Sequence, residues 1–171
     1  MLTLGQLTPA NFDQVHTLCQ RCLVYDDLPR EAFAFVIQGD PDFDPELAIT
    51  AEEDGGVQGF LMAARRSNPL FPSGIKLFAV TPERRNRGIA TRLLAEAEAR
   101  LAARGMQVIE VSQTRPNYLY TGVDPRYTPA ILLLQRHGYT QTGTAINMAV
   151  DLSASGWDTA QAEERLRAQH I

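Results

Sequence analysis

The stretch from 75 to 112 limits the folds open to this chain more than any other. Ile75–Val80 is a short apolar strand signal. A polar, arginine-rich turn follows: Thr81-Pro82-Glu83-Arg84-Arg85-Asn86-Arg87-Gly88. From about Gly88 to Arg104 the apolar residues Ile89, Leu93, Leu94, Ala97 and Leu101 recur on one helical face, and Gly105 stands where a helix stop belongs. Val108–Ser112 then reads as another strand. Two strands joined through a helix pair in parallel with a right-handed crossover, so this run fixes one βαβ unit inside a sheet.

The flanking segments supply antiparallel partners. Leu2–Leu7 alternates like a strand, and Thr8-Pro9 opens a helix to about Cys22 with Phe12, Val15, Leu18, Cys19 and Cys22 on one stripe. Pro29 precedes a second helical piece, Arg30–Ile37, closed by Gly39. Leu47–Ala51 and Val57–Ala64 read as a hairpin about Asp54-Gly55-Gly56. Arg115–Tyr127 is irregular, Pro129–His137 is a short helix, and Tyr139–Thr142 and Thr144–Leu152 read as closing strands. Ser153–Gly156 is a small-residue linker, and Asp158 is placed to cap a last polar helix. The order predicts an α+β fold: one domain over 1–152 with a mixed, mostly antiparallel central sheet flanked by helices. Residues 153–171 form a tail that packs in cis or across a homodimer. A length of 171 residues agrees with a single domain at about 150 residues each.

Composition excludes several classes. With 44% hydrophobic and 21% charged residues, the chain has the balance of a globular domain rather than a disordered one. No apolar run approaches the roughly 20 residues of a membrane span, and no signal segment is visible at Met1–Gln6, so the expected location is the cytoplasm. A net charge of −4 argues against a general nucleic-acid binder. Cys19 and Cys22 make half a zinc site at most and read as small buried thiols, while His16, His137 and His170 are dispersed, so no metal is expected.

The arginines before the long helix have the wrong sign for an isolated helix N-terminus, whose free N–H groups and dipole favour anions. An anion bound at that end reverses the argument, and small residues at Gly88 and Ala90 let backbone approach a phosphate. The competing reading is a longer helix starting at Thr81-Pro82 with the arginines on its solvated face.

Arg85-x-x-Gly88-x-Ala90 after Val80-x-Pro82-Glu83 resembles the acyl-CoA pyrophosphate motif of the GNAT superfamily of N-acyltransferases, and Ala130–Leu134 with His137-Gly138-Tyr139 resembles that family's helix before its closing strands. The resemblance implies a cofactor site in which Arg85, Asn86, Arg87, Gly88, Ile89, Ala90 and Thr91 hold the diphosphate. The edge at Phe78, Ala79 and Val80 then pairs with the pantetheine arm. It implies acetyl-CoA as co-substrate and direct attack by a primary amine, most simply that of a small molecule, in a ternary complex. The alternative is a non-catalytic acyl-CoA sensor. The family's general-acid tyrosine falls at Leu134 here, which leaves Tyr120 and Tyr127 as candidate acids and Glu110 as the best-placed candidate base. Tyr120-Thr121-Gly122-Val123-Asp124 resembles an acceptor-lining segment in some of these enzymes, giving Tyr118 and Asp124 as candidate amine contacts. The acidic run Asp40–Glu46 reads as a solvated loop, or as a field that draws a cationic amine.

Overall fold

A computed structural model describes residues 1–112, 114–151, 153 and 159–169. Five strands form one sheet in the order β1-β2-β3-β4-β5: β1 (Thr3–Gln6), β2 (Ala48–Glu53), β3 (Gly56–Ala64), β4 (Gly74–Val80) and β5 (Glu110–Val111). Neighbours are antiparallel except β4 and β5, which are parallel, as a helix-linked pair must be. The β2–β3 connection has Asp54 and Gly55 both at positive φ, 54° and 77°, the twist that a two-residue hairpin turn favours.

Helices α1 (Phe12–Cys22) and α2 (Arg30–Ile37) cover one face of the sheet, and α3 (Ile89–Ala103) the other, with α4 (Thr128–Arg136) after it. The apolar stripes explain this arrangement. Phe12, Val15, Leu18, Cys19 and Cys22 of α1 pack with Phe33, Ile37, Phe60, Met62, Leu77 and Ala79 in one core. Ile89, Leu93, Leu94, Ala97 and Leu101 of α3 pack with Ile49, Leu61, Ile75 and Leu134 in the second. No described helix is long and apolar enough to cross a membrane.

Two features of β4 position the site. Met62 faces Leu77 and Ala63 faces Ile75, so Lys76 is the extra residue of a β-bulge, which turns its side chain toward α2. The β4–β5 ladder has the rungs Gly74↔Glu110 and Ile75↔Val111, and the Ser112 N–H donates to the Ile75 carbonyl at 2.8 Å. Beyond that point no rung joins the strands among the described residues: β5 ends at Val111 while β4 runs on to Val80, and this is the divergence of the pair. Contact at the closed end is tight: a Cβ on Gly74 would lie 1.9 Å from the Glu110 carbonyl oxygen.

Two sequence expectations need correction. The strand expected at Val108–Ser112 is limited to Glu110–Val111. The closing strands at 139–142 and 144–152 do not form over the described residues 139–151, and Ile146, Met148 and Val150 stand 81%, 93% and 58% exposed. Alternation alone does not make a strand: a ladder needs an edge to pair with, and the β5 edge they would extend is two residues long. Leu152, most of the 153–156 linker, Asp158 and His170 lie outside the described residues. Helix α5 (Ala160–Ala168) buries none of its side chains.

Candidate active site

The turn between β4 and α3 is open. Pro82–Arg84 forms a single 3-10 turn, after which Arg85 extends the chain at φ −65°, ψ 160°. Asn86 and Gly88 both take positive φ, 59° and 76°. The helix therefore begins at Ile89 rather than at Thr81-Pro82, with left-handed Gly88 as its cap and empty space where a Cβ would point. Arg92 is the first residue of α3 whose N–H is answered, by the Gly88 carbonyl at 3.0 Å. The N–H groups of Asn86–Thr91 donate to no described residue, and Arg85, Asn86, Arg87 and Gly88 are exposed. Arg84 is drawn aside by Glu53 at 3.0 Å, and Arg85 donates through Nε to the Val80 carbonyl at 3.2 Å. Arg87 makes no ion pair with any described residue. Free N–H donors, a left-handed glycine and unpaired guanidinium charge at a helix start suit a diphosphate.

The edge of β4 beside this turn carries Phe78, Ala79 and Val80, of which Phe78 is half-buried. The Val80 carbonyl also accepts from the Cys22 thiol at 3.2 Å. Both thiols are buried and burial pushes both up, which leaves them protonated and poor nucleophiles. Among the described residues no three His, Cys, Asp or Glu gather as metal ligands.

The other wall of the divergence is the irregular 114–127 segment, met by the α1–α2 connection. The Tyr127 hydroxyl donates to Asp26 Oδ2 at 2.7 Å and accepts the Tyr25 N–H at 3.0 Å, with the two tyrosine rings 5.0 Å apart. The Tyr120 hydroxyl is buried without a hydrogen-bond partner among the described residues, within electrostatic reach of Asp26, Tyr127, Cys19 and Asp27. Burial pushes both phenols up, Tyr127 to about 12, where the Asp26 carboxylate adds to the effect. Asp124 is taken: Arg126 binds it through two guanidinium nitrogens at 3.0 and 2.7 Å and through its N–H at 2.8 Å, and holds it down at about 2. Arg126 also lies 4.1 Å over the Tyr25 ring. Tyr118 is 41% exposed on the same segment.

The structure thus brings Tyr120 and Tyr127 together and sets Glu110 apart from them. Glu110 opens β5 at the closed end of the strand pair, half-buried, with its N–H on the Ser73 carbonyl at 3.0 Å. Sequence reasoning missed Tyr25 and Asp26, which sit about 100 positions before their partner Tyr127. The only signal was the acidic pair Asp26-Asp27 just past a helix end.

The acidic 40–46 run is also corrected: Asp40 is wholly buried against Arg66 and Lys76, and Asp44 and Glu46 bind Arg104 at 2.8 and 2.5 Å. Burial draws the Lys76 ammonium down to about 8 against the pull of Asp40.

Residues 44–141 match the family model of the GNAT acetyltransferase domain. No curated protein sequence matches the chain. Among solved structures it is similar to an aminoglycoside acetyltransferase from an uncultured soil metagenomic sample, with 27% identity, 88% of this chain and 99% of that one covered, and a TM-score of 0.59. It is also similar to AAC(6')-Iy in complex with the bisubstrate analogue CoA-S-monomethyl-acetylneamine, at 17% identity, 88% and 99% coverage and a TM-score of 0.63. A third is the ribosomal-protein-S18-alanine N-acetyltransferase from Escherichia coli, at 16% identity, 84% and 80% coverage and a TM-score of 0.64. The family match takes in more than half of the chain, including both the open turn and the diverging strands, so the chain belongs to the GNAT family of acetyltransferases.

Proposed function

We propose that this protein transfers an acetyl group from acetyl-CoA to a primary amine on a small molecule, with both substrates bound at once. The observation that carries this reading is the row of unanswered N–H groups at Asn86–Thr91, which follows the part of β4, Lys76–Val80, that runs on past its last rung with β5. Acetyl-CoA supplies an activated thioester when bound. The chain's own residues do the rest. Arg85, Asn86, Arg87, Gly88, Ile89, Ala90 and Thr91 grip the diphosphate, and the free edge at Phe78, Ala79 and Val80 holds the amide arm in strand fashion. A β4 N–H in the divergence faces the carbonyl oxygen and stabilises the charge that grows there.

The acceptor amine enters between the α1–α2 connection and the 118–127 segment. Tyr118 and Asp124 contact it, Asp124 by exchanging Arg126 for the incoming ammonium. Tyr120, whose hydroxyl is unanswered among the described residues, acts as a hydrogen-bond donor rather than a proton donor, and Tyr127, whose one hydroxyl proton is on Asp26, orders the α1–α2 connection beside it. With its pKa near 12 against about 8.5 for an ordinary thiol, Tyr127 would protonate a departing thiolate uphill. A thiolate of that pKa leaves unaided near neutral pH. Glu110, the carboxylate of β5, stands at the closed end of the strand pair apart from this wall, so it takes the proton the amine sheds only through intervening water. The aminoglycoside acetyltransferase at 27% identity supports a small amine, and the ribosomal-protein N-acetyltransferase among the neighbours makes a protein amine the acceptor to test against it.

One observation favours a second reading. Leu134, at the position of the family's acid tyrosine, is 6% exposed in the core with α3. A chain with that position given over to packing also suits a non-catalytic acyl-CoA sensor. Titration calorimetry with CoA, followed by thiol release from acetyl-CoA across a panel of amines, decides between them. Binding with turnover supports the transferase, and binding without turnover on any amine supports the sensor. No binding removes both.

A further inference from the structure

The acceptor wall is held by a buried ionic knot that no part of the reaction uses. Lys76, turned out of β4 by its bulge, donates through Nζ to the Val36 carbonyl at 2.7 Å, to Asn117 Oδ1 at 3.0 Å and to Asp40 Oδ2. Asp40 also receives Arg66 at 2.5 and 2.9 Å. Arg66 continues to the main-chain carbonyls of Thr114 and Asn117, the latter at 3.2 Å. The Asn117 amide donates to the Phe35 and Gly39 carbonyls at 3.1 and 3.4 Å, closing the knot onto the end of α2. The side chains of Arg66, Asp40 and Lys76 are 0%, 0% and 1% exposed.

A buried set of charges is a weak way to gain stability, because desolvation offsets most of the attraction and apolar side chains of similar volume do as well. Its distinctive property is direction. Each bond here ends on the 114–117 backbone, on Asn117, on the α2 terminus or its loop, or on another member of the knot. None reaches the 85–91 turn. Lys76 follows Ile75, the last β4 residue paired with β5, so it stands at the start of the divergence. The buried side-chain polar atoms without a partner among the described residues are Arg66 Nε, Thr114 Oγ1 and Tyr120 Oη. All belong to the knot or to the segment it holds, which marks that wall as built for polar company.

We propose that Lys76, Asp40, Arg66 and Asn117 are positioning residues that fix the 114–120 segment, and with it the amine-binding wall, to the bulge where the acetyl-presenting strand leaves its neighbour. This rests on the acceptor side proposed above. The knot sets how the amine is met and leaves the diphosphate turn alone.

Amide hydrogen exchange on the full chain tests it, with Lys76→Met as the variant, since it keeps the side-chain length and leaves Asp40 paired to Arg66. Exchange over 114–127 should quicken by about tenfold or more, while 77–91 exchanges as in the wild type and the CoA Kd stays within about twofold. For any amine the wild type acetylates, KM should rise with kcat largely kept, and Lys76→Arg should restore part of the loss. Unchanged exchange over 114–127, or equal quickening over 77–91, would overturn the proposal and leave the knot as core structure only. If Lys76→Met does not fold, Asn117→Ser, which removes no charge, takes the same readouts. Failure of the wild type to bind CoA would sink the transferase reading by itself, whereas the exchange pattern decides the knot.

Discussion

The turn at 85–91 follows the end of β4 and the wall at 114–127 follows the end of β5, and they are built on opposite plans. The turn is one contiguous stretch whose backbone donors and arginines point outward and are mostly unanswered. The wall is assembled from segments far apart in the chain, and its charges are mostly answered from within: Asp124 by Arg126, Asp26 by Tyr127, Asp40 by Arg66 and Lys76. A site for an invariant group such as a diphosphate can be a short backbone cradle. A site that must select one amine, the role proposed for the wall, needs side chains held at fixed places, and the internal bonds of the wall suit that role.

If the two plans are real, changes in the turn should cost binding and spare the fold, while changes in the wall should do the reverse. The largest effect is expected from Gly88→Glu. It puts bulk and negative charge at the cradle and forces a side chain into a left-handed conformation, so CoA affinity should fall by on the order of 100-fold or more with helix content by circular dichroism nearly unchanged. Loss of folding instead would blur the distinction. On the wall, Asp40→Asn leaves buried Lys76 without a carboxylate and Arg66 with only Asp42 at 3.4 Å, and should cost about 3–5 kcal/mol in denaturant unfolding at neutral pH.

That cost should depend on pH in a defined direction. Although burial raises it, the Asp40 carboxyl is held below the usual carboxylate range by Arg66 and Lys76. Its contribution is therefore full above the unfolded value of 3.8 and is lost as pH falls through the lower folded value, so the gap between wild type and Asp40→Asn should narrow on acidification below 3.8. A gap that widens there would contradict the assigned pairing.

A smaller effect is expected from Tyr127→Phe, which removes the bridge to Asp26 and the acceptor of the Tyr25 N–H. It should lower kcat/KM for the amine by about tenfold, the worth of roughly one buried hydrogen bond, with CoA affinity unchanged. Smallest is Arg87→Ala: this exposed, unpaired guanidinium should be worth two- to fivefold in CoA affinity, roughly what a surface ion contact supplies, and less at high salt. Equal losses in Tyr127→Phe and Gly88→Glu for CoA binding would erase the contrast between the two sides.

The sequence by itself determined whatever depends on neighbours along the chain. The five residues of the α3 face, the parallel strand pair, the hairpin at Asp54-Gly55 and the helix start at Gly88 all follow from local periodicity and turn chemistry. Only the tertiary structure decided the rest. The alternation at 144–150 looked like a strand because period two is a local signal, but pairing requires an edge elsewhere, and β5 is too short to offer one. Asp40 looked like one of several solvated acids. Its burial follows from a bulge at Lys76 and an arginine 26 positions away, which no local pattern encodes. Tyr25 and Asp26 meet Tyr127 across about 100 residues for the same reason. Backbone donors belong to a segment, whereas the partner of a side chain is chosen by the packing of elements that sequence order keeps apart.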